Sequence, residues 1–221
     1  NRVQELYSKV ESRKEALNPE LFGNVSYLVG YILFKEGDYA QALEVISHVS
    51  AGTKYFFPAL YLSGSCFANM GEDELAISIF ERLIGMTSSE ARNPFLQQIR
   101  NNSLLKLGYY YYEQGNNSTA AGYFTQVTEN YEHYDASRIG AAWSAYREGK
   151  PGTALKSVEE ILTSSVVSKY KYEAQVLAAN CKELLGQSEE AIQDLKKVYA
   201  VGKGENADRS DLEQDMDSVE E

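Results

Sequence analysis

The chain of 221 residues is poor in the side chains that most catalytic and metal centres draw on. It has two histidines, His48 and His133, and two cysteines, Cys66 and Cys181. Neither histidine has a Cys or a second His at ligand spacing, so the sequence offers no zinc site. It has no G-x-S-x-G, P-loop or H-E-x-x-H pattern for nucleophile, phosphate or metallopeptidase chemistry. We therefore expect no enzyme and no cofactor. Long apolar runs are lacking too: none approaches the ~20 residues that span a bilayer, so no membrane insertion is expected. Basic residues are the minority, 21 Lys and Arg against 32 Asp and Glu, for a net charge of −11. Without a basic patch there is no counterion-release term, which argues against nucleic acid and anionic membranes as partners. Proline occurs four times, and Pro19, Pro58, Pro94 and Pro151 all fall where a helix would start.

What the chain does have is an internal repeat. A glycine followed five residues later by alanine occurs as Gly37/Ala42, Gly71/Ala76, Gly115/Ala120, Gly149/Ala154 and Gly186/Ala191. Those glycines are spaced by 34, 44, 34 and 37 residues. Seven residues before them stand the small Gly30, Gly64, Gly108, Ala142 and Ala179. Four after each alanine stand Ile46, Phe80, Phe124, Val158 and Leu195, and three further Val49, Leu83, Val127, Ile161 and Val198. The stretch from Leu104 to Val127 shows the unit best. Leu104, Leu107, Gly108 and Tyr111 share one face of a first helix, Gly115 ends it, and Ala120, Phe124 and Val127 line a second. One such hairpin cannot bury its own apolar face, so it has to recur.

The pattern resembles the tetratricopeptide repeat, a 34-residue helix–turn–helix with the signature W-x2-L-G-x2-Y, then A-x3-F, then P. Leu107-Gly108, Tyr111, Ala120 and Phe124 fit it closely, as do Gly64, Phe67, Ala76 and Phe80. The tryptophan column is not kept, holding Ser26, Leu60, Leu104, Arg138 and Gln175, and the terminal proline is not kept either. The resemblance implies an all-α right-handed superhelix of antiparallel hairpins. We expect five repeats over about 23–56, 57–93, 94–134, 135–171 and 172–202. Residues 1–22 form a leading segment, with a helix over 1–17 that reads as the second helix of an earlier repeat in a longer protein. Residues 203–221 carry a net charge of −6, show no periodicity, and read as a disordered tail. Gly85-Met86-Thr87-Ser88-Ser89 reads as loop, inside the ten extra residues between repeats two and three. Cys66 and Cys181 occupy equivalent places three repeats apart. At ~8–10 Å per packed helix they are beyond the ~7 Å reach of a disulfide and read as small buried hydrophobes.

A second stripe runs beside the core stripe on the first helices. It carries Tyr27, Tyr31 and Phe34 in repeat one, Tyr61 in two, Tyr109 and Tyr112 in three, and Trp143 and Tyr146 in four. In proteins with this repeat these columns line a concave groove for partner segments, so the resemblance implies a non-catalytic protein–protein interaction scaffold with a protein or peptide partner. Aromatics at helical spacing also serve as packing between repeats. A carboxylate clamp for chaperone tails is not supported, because its Lys and Asn columns hold Tyr27 and Tyr31. The irregular spacing resembles bacterial envelope members of the family, which implies a periplasmic setting; the cytoplasm is the alternative. Self-association as a spacer in a longer array and docking to a larger enzyme are the other functional readings.

Overall fold

The computed structural model describes residues 2–87, 93–164, 168–196 and 198–199. Among them there is no strand. Ten α-helices follow in order: α1 (Arg2–Glu11), α2 (Pro19–Glu36), α3 (Tyr39–Ile46), α4 (Phe56–Asn69), α5 (Asp73–Thr87), α6 (Pro94–Glu113), α7 (Asn117–Phe124), α8 (Tyr134–Arg147), α9 (Pro151–Leu162) and α10 (Lys171–Leu184). Residues 188–196 are also helical. The chain divides into two compact units, Asn1–Leu107 and Gly108–Glu221, each described by itself below.

The helix boundaries follow from local chemistry. Asn18 caps α2, its Oδ1 accepting the Glu20 N–H at 2.8 Å, with Pro19 in the first turn. Asn93 caps α6 in the same way, accepting from Phe95 at 3.1 Å. The five repeated glycines all take a left-handed φ, between 69° and 84°, which ends each first helix without a Cβ penalty. The Asp38 and Asn116 side chains then cap α3 and α7 through the Gln41 and Thr119 N–H groups.

In the first unit, Leu33, Ala42, Val45 and Ile46 of the α2–α3 hairpin pack with Ala59, Leu62 and Cys66 of α4. Helix α1 joins this core through Tyr7, which is buried and whose hydroxyl lies 3.0 Å from Ser26 Oγ and 3.0 Å from His48 Nδ1. In the second unit, Ala142, Ala154, Val158, Leu177 and Cys181 form the core of α8, α9 and α10. The small column works by backbone approach: a Cβ on Gly64 would meet the Phe80 ring at 2.9 Å, and one on Gly108 the Phe124 ring at 2.5 Å. A Cβ on Gly140 would meet Phe124 at 2.7 Å, so Phe124 lies against glycines of two first helices. Both cysteines are buried free thiols, and desolvation pushes Cys66 up to about 11.

Four expectations change in detail. The leading helix stops at Glu11 and is followed by a short 3-10 turn, Lys14–Ala16, rather than running to residue 17. Gly85, Met86 and Thr87 are helical, not loop, because Thr87 is buried and returns its hydroxyl to the Leu83 carbonyl at 2.6 Å; Ser88 and Ser89 lie outside the described residues. Pro58 sits at the third residue of α4, since Phe56 and Phe57 already belong to that helix. Val49 and Val127 are buried as expected, but beyond the ends of α3 and α7. There Ser47 and Thr125 turn their hydroxyls back to the carbonyls of Glu44 and Ala121. The tail, residues 203–221, lies outside the described residues.

Candidate partner-binding surface

Of the eight second-stripe aromatics, three lean on the second helix of their own hairpin. Phe34 meets Tyr39 with ring centroids 5.6 Å apart, Tyr61 meets Phe80 at 5.5 Å, and Tyr109 meets Phe124 edge-on at 5.2 Å. Burial raises the Tyr61 hydroxyl above its ordinary range. Burial, a hydrogen bond with Tyr170 and the nearby Glu173 carboxylate push Tyr109 up to about 12. These rings serve the core with one face.

Of the other five, Tyr31 is exposed and Tyr27, Tyr112, Trp143 and Tyr146 are half-buried, with Tyr27, Trp143 and Tyr146 packed against the cores of their units. In the first unit Tyr27 and Tyr31, one turn apart on α2, stack at 6.5 Å. Tyr55, just before α4, stacks on Tyr27 at 4.6 Å and 15°. Tyr55 belongs to no column, and its place beside Tyr27 is visible only once the two hairpins pack. In the second unit the Arg147 guanidinium lies 4.1 Å over the Tyr112 ring, and Trp143 meets Tyr146 edge-on at 5.8 Å. The Trp143 indole N–H donates to Glu173 at 2.6 Å, tying α8 to α10. The second-unit rings thus come from three first helices, α6, α8 and α10, and include Tyr170 at the start of α10.

Behind them, two positions of the former tryptophan column bury polar side chains that find local partners, Ser26 and Arg138. Ser26 bonds Tyr7, as above. Arg138 is buried, donates from Nη2 to the Phe124 carbonyl at 2.6 Å, and lies 3.5 Å from Glu160. Its guanidinium also stacks over Tyr134, whose hydroxyl donates to the same Glu160 at 2.8 Å. An arginine in an apolar column is invisible as a core residue in sequence, because its partners come from two neighbouring helices.

Among the described residues no group of three or more His, Cys, Asp or Glu could hold a metal ion. No helix among them is long and apolar enough to cross a membrane. What the surface offers is amphipathic aromatic area with hydroxyl, indole and cationic groups at its edges, the chemistry of protein recognition.

Comparison with known families agrees with that chemistry. A tetratricopeptide-repeat family model matches residues 105–165, and a second matches residues 58–85. The chain carries tetratricopeptide repeats. Among solved structures, this repeat protein is similar to the C-terminal part of a TPR repeat-containing protein from Cytophaga hutchinsonii. The two are 16% identical, with 90% of this chain and 73% of that one covered at a TM-score of 0.66. The nearly identical TPR-like repeats of a kinesin light chain candidate from Podosopora anserina match at 16% identity, 84% and 96% coverage and a TM-score of 0.60. MamA of AMB-1 matches at 16% identity, 82% and 92% coverage and a TM-score of 0.59. At these identities the likeness is one of fold, the TPR-like α-solenoid. No curated protein matches the chain. Tetratricopeptide repeats are in general scaffolds for protein–protein interaction, and that general role is supported for this repeat protein.

Proposed function

We propose that the protein is a non-catalytic scaffold that holds a segment of a partner protein on the aromatic columns of its first helices. In the first unit the contact residues are Tyr27, Tyr31, Phe34 and Tyr61; in the second they are Tyr109, Tyr112, Trp143 and Tyr146. The observation that carries this reading is the concentration of half-exposed tyrosine and tryptophan on those columns. Tyr31 and Tyr109 are 43% and 38% exposed, far above the core columns behind them. Such rings combine large contact area with low conformational entropy, the properties of interface anchors. The setting we propose is bacterial envelope assembly, a reading that rests on the irregular repeat spacing; fractionation of source cells into envelope and cytoplasm tests it.

The test of the binding role is a pull-down with the full chain and a Tyr31→Ala/Trp143→Ala variant. Tyr31 is exposed, whereas Trp143 also packs against the second-unit core, so circular dichroism first establishes that both proteins are equally helical. A partner retained by the parent chain and lost by the folded variant supports the proposal. A partner retained equally by both refutes it and makes the rings packing elements.

A further inference from the structure

The first unit carries a surface arrangement that specifies more than aromatic contact. Tyr31, Tyr27 and Tyr55 stack in series, 6.5 and 4.6 Å between centroids. Each end of the series is closed by a lysine: Lys35 Nζ lies 5.5 Å from the Tyr31 ring centre, and Lys54 Nζ 5.4 Å from that of Tyr55. Both lysines are exposed. Neither forms an ion pair among the described residues, whereas Lys9, Lys150 and Lys182 all do. The nearby Asp38 carboxylate is directed into the helix cap of α3. In a chain of net charge −11, these two exposed ammonium groups bracket one tyrosine stack with positive charge.

We propose that this lysine-closed tyrosine stack is the docking site for an acidic, apolar-interspersed segment of a partner protein, bound in extended form. The inference rests on the scaffold reading above and names the chemistry of its partner. Carboxylates of the segment pair with Lys35 and Lys54, side chains between them lie on the tyrosine rings, and the phenol hydroxyls reach backbone carbonyls. The distances along the stack limit the separation of the two carboxylates to at most about six residues at ~3.3 Å each. Each lysine is held against a ring face, which reduces the side-chain entropy lost when it pairs with an incoming carboxylate. Nucleic acid is the competing occupant of a Lys–Tyr surface. It is disfavoured because the residues before the tail still net −5 and because Tyr27 already shares ring contacts with both neighbours.

A phage-displayed library of random twelve-residue peptides, selected on the full chain, tests the proposal. Enriched peptides are expected to carry two carboxylates within about six residues, with an apolar or aromatic residue between them. A synthesised winner should bind about tenfold more weakly to Lys35→Gln/Lys54→Gln, recover with Lys35→Arg/Lys54→Arg, and be indifferent to Lys150→Gln, an exposed lysine outside the aromatic columns. Its affinity should fall with rising salt in the parent chain more than in the glutamine variant. Enrichment of neutral or basic peptides, or of none, overturns the proposal, as does acidic binding that ignores both lysines. Acidic binding lost only in Trp143→Ala overturns it while leaving the scaffold reading intact. Single-stranded dT12 bound with the same dependence on the lysines reassigns the site to nucleic acid and overturns it. Matching thermal melts for all variants ensure that a loss is local.

Discussion

Phe124 gives a prediction in which the sign of an effect, not only its size, comes from the structure. Its ring is fully buried, and methyl groups added at Gly108 and Gly140 would stand 2.5 and 2.7 Å from it. Gly→Ala in a helix interior ordinarily stabilises by about 1 kcal/mol through helix propensity. Here the added methyl overpacks a ring already flanked by a second glycine, at a cost of about 1–3 kcal/mol. Gly108→Ala and Gly140→Ala are therefore each expected to destabilise by up to about 2 kcal/mol net. Phe124→Ala alone should cost about 3–5 kcal/mol. In that background the obstacle is gone, and either Gly→Ala change should become stabilising by about 1 kcal/mol. Urea unfolding followed by tryptophan fluorescence reads the right part of the chain, because the sole tryptophan, Trp143, lies in the same unit as Phe124. Far-UV circular dichroism follows the whole. Gly108→Ala and Gly140→Ala that stabilise the parent, or that keep one sign in both backgrounds, would refute the close-approach reasoning.

Two further predictions concern buried polar groups. Arg138→Leu removes the 2.6 Å donor to the Phe124 carbonyl, which keeps only the longer 3.3 Å bond from the Val127 N–H, so it should cost about 1–2 kcal/mol. Glu160→Gln should cost under about 1 kcal/mol, since the glutamate side chain is 39% exposed; urea midpoints in the reverse order would contradict the assigned roles. Tyr109 and Tyr134 are both pushed up to about 12, mainly by burial, above the ordinary 10 of the phenol. A folded-state value above the unfolded one means that the fold favours the protonated form. Its stabilising contribution is complete below pH 10 and is lost as pH rises from 10 through 12. Absorbance at 295 nm should show tyrosines still protonated at pH 11 in the native protein but not in urea. The unfolding midpoint should drop over the same window, less steeply in Tyr109→Phe/Tyr134→Phe, and a midpoint flat from pH 10 to 12 would count against the burial account.

The columns that sequence displays well are those in which one residue type meets one requirement. The glycines at 37, 71, 115, 149 and 186 need a left-handed φ, the small column needs close approach, and Asn18 and Asn93 need a side-chain acceptor before a helix. Those constraints are local or strictly periodic, so they can be read from spacing. Residues whose role depends on a neighbouring hairpin are not visible that way. Arg138 occupies an apolar column because Phe124 offers a carbonyl and Glu160 a carboxylate from helices on either side. Tyr55 precedes its helix and falls in no column, yet it is the ring that completes the stack on Tyr27. The same limit explains Gly85 to Thr87: a glycine and a threonine signal a break, but burial of Thr87 and its bond to Leu83 carry the helix through. In the second stripe, sequence placed the rings on the correct helices. It did not distinguish Phe34 and Tyr61, which are half-buried against second helices, from Tyr31 and Tyr109, which remain exposed.

Among the described residues, helices in substantial contact stand one or two steps apart in the chain, as α2 with α3 and α4, or α8 with α9 and α10. Order can therefore begin in whichever hairpin first closes and spread to its neighbours, without waiting for distant segments to meet. The same locality governs inheritance. A substitution such as arginine for tryptophan needs compensation only from the adjoining hairpins, so each repeat is free to drift from its siblings while the array persists. The uneven signature of this chain is the record of that freedom, and a lesion in one hairpin should leave the far ones able to form.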